Sequence, residues 1–325
     1  ITENKKMMDL LKPITQLKAF TDLKTRVKSK ECCAVFGVDR QKPYFIAELV
    51  QQTQRRYFIV TPDDNTAKTV NDILNACAVN SKLFPSKDYN FRNIESVSRF
   101  DENARLDTIS HIRKKDFSAI VIPAPALCAL VMSSEDFREK QFYNGDTVDF
   151  ESFIKIMPEY GYEFYSTVEG PGQYSVRGGI VDVFPPGEKY PYRVEFFGDE
   201  IDSISLFDVA TQRRTEPMDA ITIPPAKEYD SQVSERLIQA LQQFPDNSYA
   251  AQDLELVQNG IFPKHDRYLP LYYQKEACIL DYMTSEDTLV FFDSRACIEN
   301  IAGRTALLAQ DIGQLVDEGY PFIDR

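Results

Sequence analysis

Apolar positions recur every three or four residues over 3–28, at Met7, Leu10, Leu11, Ile14, Leu17 and Phe20, and this spacing predicts a helix with one buried face. From residue 32 the pattern changes. A continuous apolar run over 32–38 predicts a buried strand, followed by a turn and a helix over 44–52. Residues 57–60 and 119–122 read as two further buried strands, the second ending at Pro123, and 65–78 as a helix. Short apolar strands alternating with helices predict a parallel sheet covered on both faces, since parallel strands need crossover connections.

Near residue 141 the pattern changes again. A short helix over Phe150–Glu159 gives way to strands separated by turn signals: GPG at 170–172, GG at 178–179, PPG at 185–187 and GD at 198–199. This predicts a small antiparallel sheet with one or two helices. Helices return from residue 231, with one more strand over 289–292 and a long helix from about 297 to 318. If that strand rejoins the parallel sheet, residues 141–228 are an insertion in an α/β body.

Charge follows the same divisions. Residues 1–140 carry a net +5, whereas 141–228 and 229–325 carry −9 each, for −13 over the 325 residues. A chain this acidic is not, as a whole, a surface for coating DNA or membrane. It has no apolar run of the ~18 residues a spanning helix needs, and its first residues lack the order of a signal peptide, so a soluble, cytoplasmic protein is expected. It opens on Ile and stops at Arg325, as expected of a piece of a longer protein.

Candidate chemistry is sparse. The six cysteines show no C-x-x-C spacing and only His111 and His265 accompany them, so neither a metal site nor disulfides are expected. His111 lies on a polar helix beside Arg113, Lys114 and Lys115, and His265 is loop-bound with no nearby nucleophile. That basic cluster lacks the interleaved aromatics of a single-strand binding surface. Acid pairs such as Asp199-Glu200 read as solubilising surface.

The first predicted strand–turn–helix is where a phosphate-binding loop would sit. Such a loop needs glycines so that backbone N–H groups wrap the phosphates, then Lys and Ser/Thr for charge and metal. Here only Gly37 survives. Lys42 stands one place early, and Pro43 and Tyr44 occupy the Lys and Ser/Thr places. The segment is expected to be a degenerate P-loop with no nucleotide cofactor and no catalytic residues.

The stretch 168–208 is more informative. In YRVEFF (192–197), period-2 alternation puts Val194 and Phe196 on one side and Arg193, Glu195 and Phe197 on the other. Arg177 precedes Gly178-Gly179 in the strand before. An open face carrying arginines and a large aromatic has the composition of a binding hot spot. Equally, Phe197 could lie under another domain while the arginines make surface ion pairs.

VEGPGQYSVRGGIVDVFP, PYRVEFFGDEIDSI and FDVATQRR closely resemble the UvrB-homology region of the bacterial transcription-repair coupling factors. UvrB itself has related segments but keeps an intact Gly-Lys-Thr loop and a long tyrosine-rich hairpin. Residues 83–100 are too short and too poor in aromatics for that hairpin. The resemblance implies an α/β, P-loop-NTPase-like (UvrB-like) parallel-sheet body with a degenerate nucleotide site, plus an inserted α+β domain with an antiparallel sheet. Its parts would be 1–28, N-terminal helices packing with the second half of the body; 29–140, UvrB-like domain 1a; 141–228, domain 2; and 229–325, domain 1b.

In that family the middle domain docks onto UvrA, and the matching contact positions here are Arg177, Arg193 and Phe197. The resemblance therefore favours the interface reading and implies recruitment of UvrA without enzymatic activity in this chain. The parent would be an ATP-dependent DNA translocase acting on stalled RNA polymerase, with RNA polymerase and DNA bound by other domains. Its C-terminal domain would mask the UvrA-binding face. Two other readings are a UvrB-like damage-DNA-binding fragment and a nucleotide-hydrolase or helicase domain.

Overall fold

The strand β1 (Arg56–Thr61) is apolar from Tyr57 to Val60 and is buried along that length. A computed structural model describes residues 13–92, 100–229, 233–263 and 265–322. The chain divides into two compact units: Ile1–Lys87 with His111–Ala129 and Cys278–Ala309, and Asp88–Ser110 with Leu130–Ala277 and Gln310–Arg325.

In the first unit, β1 lies between two parallel partners. On one side is the strand Asp287–Phe291, in register Phe58↔Leu289. On the other is β3 (Ala119–Pro123), in register Phe58↔Ile120, with β2 (Ser81–Leu83) parallel outside it. The late strand thus does rejoin the sheet that the early strands build. One sheet face is buried by Phe20, Ile46, Val50, Val70 and Leu74, which pack with Tyr57, Ile59 and Val121. On the other, Val60 packs with Ala124, Cys297 and Ile301. The helix Asp64–Ala76 begins where its sequence signals a cap: Asp63 accepts a hydrogen bond from the Thr66 N–H at 2.8 Å.

Two expectations need correction here. The run 32–38 is not a strand. It is irregular, with Phe36 89% exposed, and β1 is already paired on both sides, so no place beside β1 is left for it. An apolar run signals burial without specifying a strand, and two of its seven residues are cysteines. The helix expected over 3–28 is interrupted at Leu17, whose backbone is extended, and restarts as Lys18–Lys28. There it packs on the helix Lys42–Thr53 through the Phe20 and Phe45 rings, 5.2 Å apart. The part of that expectation covering residues 3–12 lies outside the described residues, as do positions 93–99 of the short segment 83–100.

In the second unit, β4 (Lys140–Tyr143) pairs antiparallel with the later strand Ala220–Ile223. The six-stranded sheet is built from β5 (Glu163–Phe164), β6 (Gln173–Arg177), β7 (Ile180–Val183), β8 (Tyr192–Phe197), β9 (Glu200–Phe207) and β10 (Arg214–Met218), in the order β10-β9-β8-β7-β6-β5. It is antiparallel apart from β5, which runs parallel to β6. The helix Phe150–Glu159, capped by Asp149, covers one face and brings Phe153 against Phe142 and Phe196. Val181, Val183, Val194 and Ile204 fill the space beneath it.

The glycine pair predicted as a turn closes the β6–β7 hairpin. Gly178 has φ +59°, a conformation that penalises a Cβ, and a Cβ on Gly179 would sit 2.8 Å from the Phe196 carbonyl oxygen. The Phe196 N–H also donates to the Gly179 carbonyl at 2.8 Å. These two glycines therefore let the hairpin end lie against the last turn of β8.

Candidate functional site on the open face of the sheet

Alternation along β8 is obeyed to its end. Tyr192, Val194 and Phe196 point into the core under the helix Phe150–Glu159, while Arg193, Glu195 and Phe197 point to the opposite face. The pairing steps from Glu195↔Ser203 to Phe196↔Ile201, so the extra residue of the bulge is Asp202 on β9 and β8 keeps its phase. Phe197, next to the β8–β9 turn, is 83% exposed.

The same face brings three charged residues together. Asp182 on β7 stands directly opposite Arg193 on β8 and opposite Ser175 on β6, two residues before Arg177. The Asp182 side chain is 1% exposed. It accepts from Arg193 Nε at 2.7 Å and Nη2 at 2.8 Å, and from Arg177 Nη2 at 2.8 Å. A buried carboxylate is tolerated here because charged donors surround it.

Arg193 has further partners. Its Nη1 donates to the Gln212 carbonyl at 3.2 Å, and its guanidinium carbon lies 4.8 Å from the centre of the Phe207 ring. The hydrogen bond to Asp182 raises the Arg193 pKa above the usual arginine range. Phe207 is itself buried against Val168 and Phe184, so the arginine lies on a firm base. Gln212 holds its carbonyl there from a left-handed backbone, φ +58°. Its loop is tied by Asp208, which accepts from both the hydroxyl and the N–H of Thr211 at 2.8 Å. Those bonds keep the Asp208 carboxyl below the usual carboxylate range. Glu195, one pair further along, accepts from Ser203 Oγ at 3.3 Å and is ion-paired with Arg214.

Arg177, Arg193 and Phe197 therefore share one face, with different exposures. Phe197 is open, the Arg177 side chain is 50% exposed, and the Arg193 side chain is 13% exposed. Sequence reasoning missed Asp182, Phe207 and Gln212 as parts of this arrangement. The available signal was an aspartate at the alternate position of an otherwise apolar strand, Ile180-Val181-Asp182-Val183, where a charge without a partner would not be buried.

The residues expected to form a degenerate P-loop lie in the other unit. Gly37 is in the irregular stretch with φ +80°, and Lys42 and Pro43 begin the helix Lys42–Thr53, with Tyr44 in its first turn. Lys42 Nζ donates to the Phe292 carbonyl at 3.2 Å. Gly37 and Tyr44 border an open apolar cleft of about 870 Å³, with Ile14, Leu17 and Phe36 on its walls. His265 is buried. Its Nε2 lies 3.0 Å from Asp253 Oδ2, which also accepts from Tyr268 and Arg267, so this histidine belongs to a packed polar network. Among the described residues, no three His, Cys, Asp or Glu side chains come together as a metal site, and no helix is long and apolar enough to cross a membrane.

The six-stranded sheet and its open face lie within one family match. Residues 141–229 match the UvrB interaction domain. Over 298 residues the chain is 26% identical to the transcription-repair-coupling factor of Bacillus subtilis, a match covering 85% of this chain and 25% of the relative. It is likewise 26% identical over 259 residues to the Haemophilus influenzae factor, covering 75% and 22%. For a Staphylococcus aureus factor the identity is 29% over 193 residues, covering 58% and 16%. The chain thus resembles the UvrB-homology module of these factors, and it spans about a quarter or less of their length. Within the stretch matching the UvrB interaction domain, the open sheet face lies opposite the core that the helix Phe150–Glu159 covers.

Proposed function

We propose that this chain is the UvrA-recruiting module of a transcription-repair coupling factor and docks UvrA on the open face of its antiparallel sheet. The observation that carries this reading is Phe197, a large aromatic 83% exposed on the face that bears Arg177, within the stretch matching the UvrB interaction domain. An exposed aromatic and a partly free guanidinium on one face offer apolar area and planar, charge-assisted hydrogen bonding to an acidic group. The chain's contribution is binding rather than chemistry.

Within this reading, 141–228 is the docking domain, and 29–140 and 229–325 are halves of a UvrB-like body whose nucleotide loop, at Gly37 and Lys42–Tyr44, is degenerate. The expected packing of residues 1–28 with the second half gives way, for the helix Lys18–Lys28, to packing on the helix Lys42–Thr53 of the first. The parent couples RNA polymerase stalled at DNA lesions to excision repair in the cytoplasm, using an ATP-dependent translocase outside this chain. Its C-terminal domain masks the docking face until activation. The direct test is calorimetric titration of the chain with UvrA at physiological salt. Saturable binding that is clearly weakened in Phe197→Ala is expected, and absence of binding by the unaltered chain sinks the reading.

A further inference from the structure

The three arginine-to-aspartate bonds are distributed unequally, and this separates the roles of Arg177 and Arg193. Arg193 has acceptors for Nε, Nη1 and Nη2, is stacked on Phe207, and is largely covered. Using that guanidinium on a partner requires breaking bonds to a carboxylate that is itself 1% exposed. Arg177 is different. Among the described residues only its Nη2 has an acceptor, Asp182 Oδ2, and half of its side chain faces solvent. Two guanidinium groups around one carboxylate leave one positive charge, and the half-exposed arginine is the one that can present it.

We propose that Arg193 is a positioning residue that acts through Asp182, the two fixing Arg177 so that Arg177 meets an acidic group of the partner on the face that also bears Phe197. This rests on the recruitment reading and specifies how its face works. Arg193 holds Asp182 side-on through two parallel bonds, which fixes the plane of the carboxylate. The carboxylate in turn anchors one nitrogen of Arg177, whose half-exposed side chain keeps donors for a partner carboxylate. Pre-ordering a long side chain in this way lowers the entropy lost on binding. The loop carrying Asp208, Thr211 and Gln212 has the same task, since the Gln212 carbonyl holds the third nitrogen of Arg193.

The test is a pair of double-mutant cycles read as affinity for UvrA, using the full 325-residue chain. One cycle combines Arg177→Ala with Arg193→Lys, which keeps the charge but loses the side-on fork. The other combines Arg177→Ala with Asp182→Asn, which keeps the shape but loses the charge. Near-UV circular dichroism confirms folding, and either cycle alone decides should one variant fail to fold. Each single change is expected to weaken binding by about tenfold or more, the scale of a hot-spot residue. Each double variant is expected to bind within about twofold of Arg177→Ala alone, because residues acting as a unit are not additive. A purely structural role for Arg193 lowers melting temperature without producing this coupling. If Arg193→Lys costs the same factor with or without Arg177, Arg193 contacts the partner itself and the proposal is overturned. Unchanged affinity in Asp182→Asn overturns it as well. Binding with additive losses leaves recruitment standing, whereas no binding by the unaltered chain removes both.

Discussion

Arg193 and Asp182 face each other across β7 and β8 as a directly opposed pair, and their side chains meet in two parallel bonds of 2.7 and 2.8 Å on the side of the sheet away from its main core. The carboxylate is buried and the arginine is covered by Phe207, so the pair is part of the fold as much as part of a face. Removing one partner of a buried pair leaves an uncompensated charge. Asp182→Ala is therefore expected to lower unfolding stability by about 3 kcal/mol in urea titrations. Arg177→Ala, at the solvent-facing end of the same cluster, is expected to cost no more than ~0.5 kcal/mol.

The two faces of β8 should separate stability from binding. Val194 is fully buried, and Val194→Ala is expected to lose about 2 kcal/mol of stability through lost contacts and a residual void. Phe197→Ala should change stability by less than ~0.5 kcal/mol while weakening UvrA affinity by about 2 kcal/mol. Melting temperature and affinity measured on both variants check this. A Phe197→Ala protein that unfolds would show the ring to be structural.

The hairpin glycines should differ in what they tolerate. Gly178 needs only its left-handed backbone, so Gly178→Asn should cost under ~1 kcal/mol. At Gly179 a methyl group meets the Phe196 carbonyl, and Gly179→Ala should cost about 1–3 kcal/mol by forcing β8 away. Denaturant midpoints for the two variants test the order.

Alkaline pH should weaken the fold through its buried tyrosines. Burial foremost, with Glu188 adding, pushes the Tyr192 hydroxyl up to about 12 from an ordinary 10.0. Burial raises Tyr162 and Tyr268 as well. A raised pKa means that the unfolded chain loses these protons first. The stability they confer is complete below pH 10 and falls as pH rises through about 12. Urea titrations between pH 8 and 11.5 should show this decline, and Tyr192→Phe should shallow it.

Mg-ATP should give no heat beyond dilution in calorimetric titration. In the segment proposed as a degenerate P-loop, 35–44 holds one glycine, Gly37, and Lys42 donates to the Phe292 carbonyl. A micromolar Kd would show that the segment 37–44 forms a phosphate site.

Local pattern was enough for much of this protein. The helix Phe150–Glu159, the strands around 57–60 and 119–122, the turn glycines and the two-sidedness of 192–197 all follow from neighbours within a few residues, because helix and strand periods and turn dihedrals are local properties. Whether Phe197 is covered or open is not such a property. Nor is the strand state of 32–38, which depends on whether a place beside β1 is vacant, and residues 287–291 and 119–123, distant in sequence, occupy those places. The meeting of Arg177, Asp182, Arg193, Phe207 and Gln212 was likewise decided by tertiary structure. Strand register sets which residues oppose one another, and long-range burial determines which charged groups must find a partner.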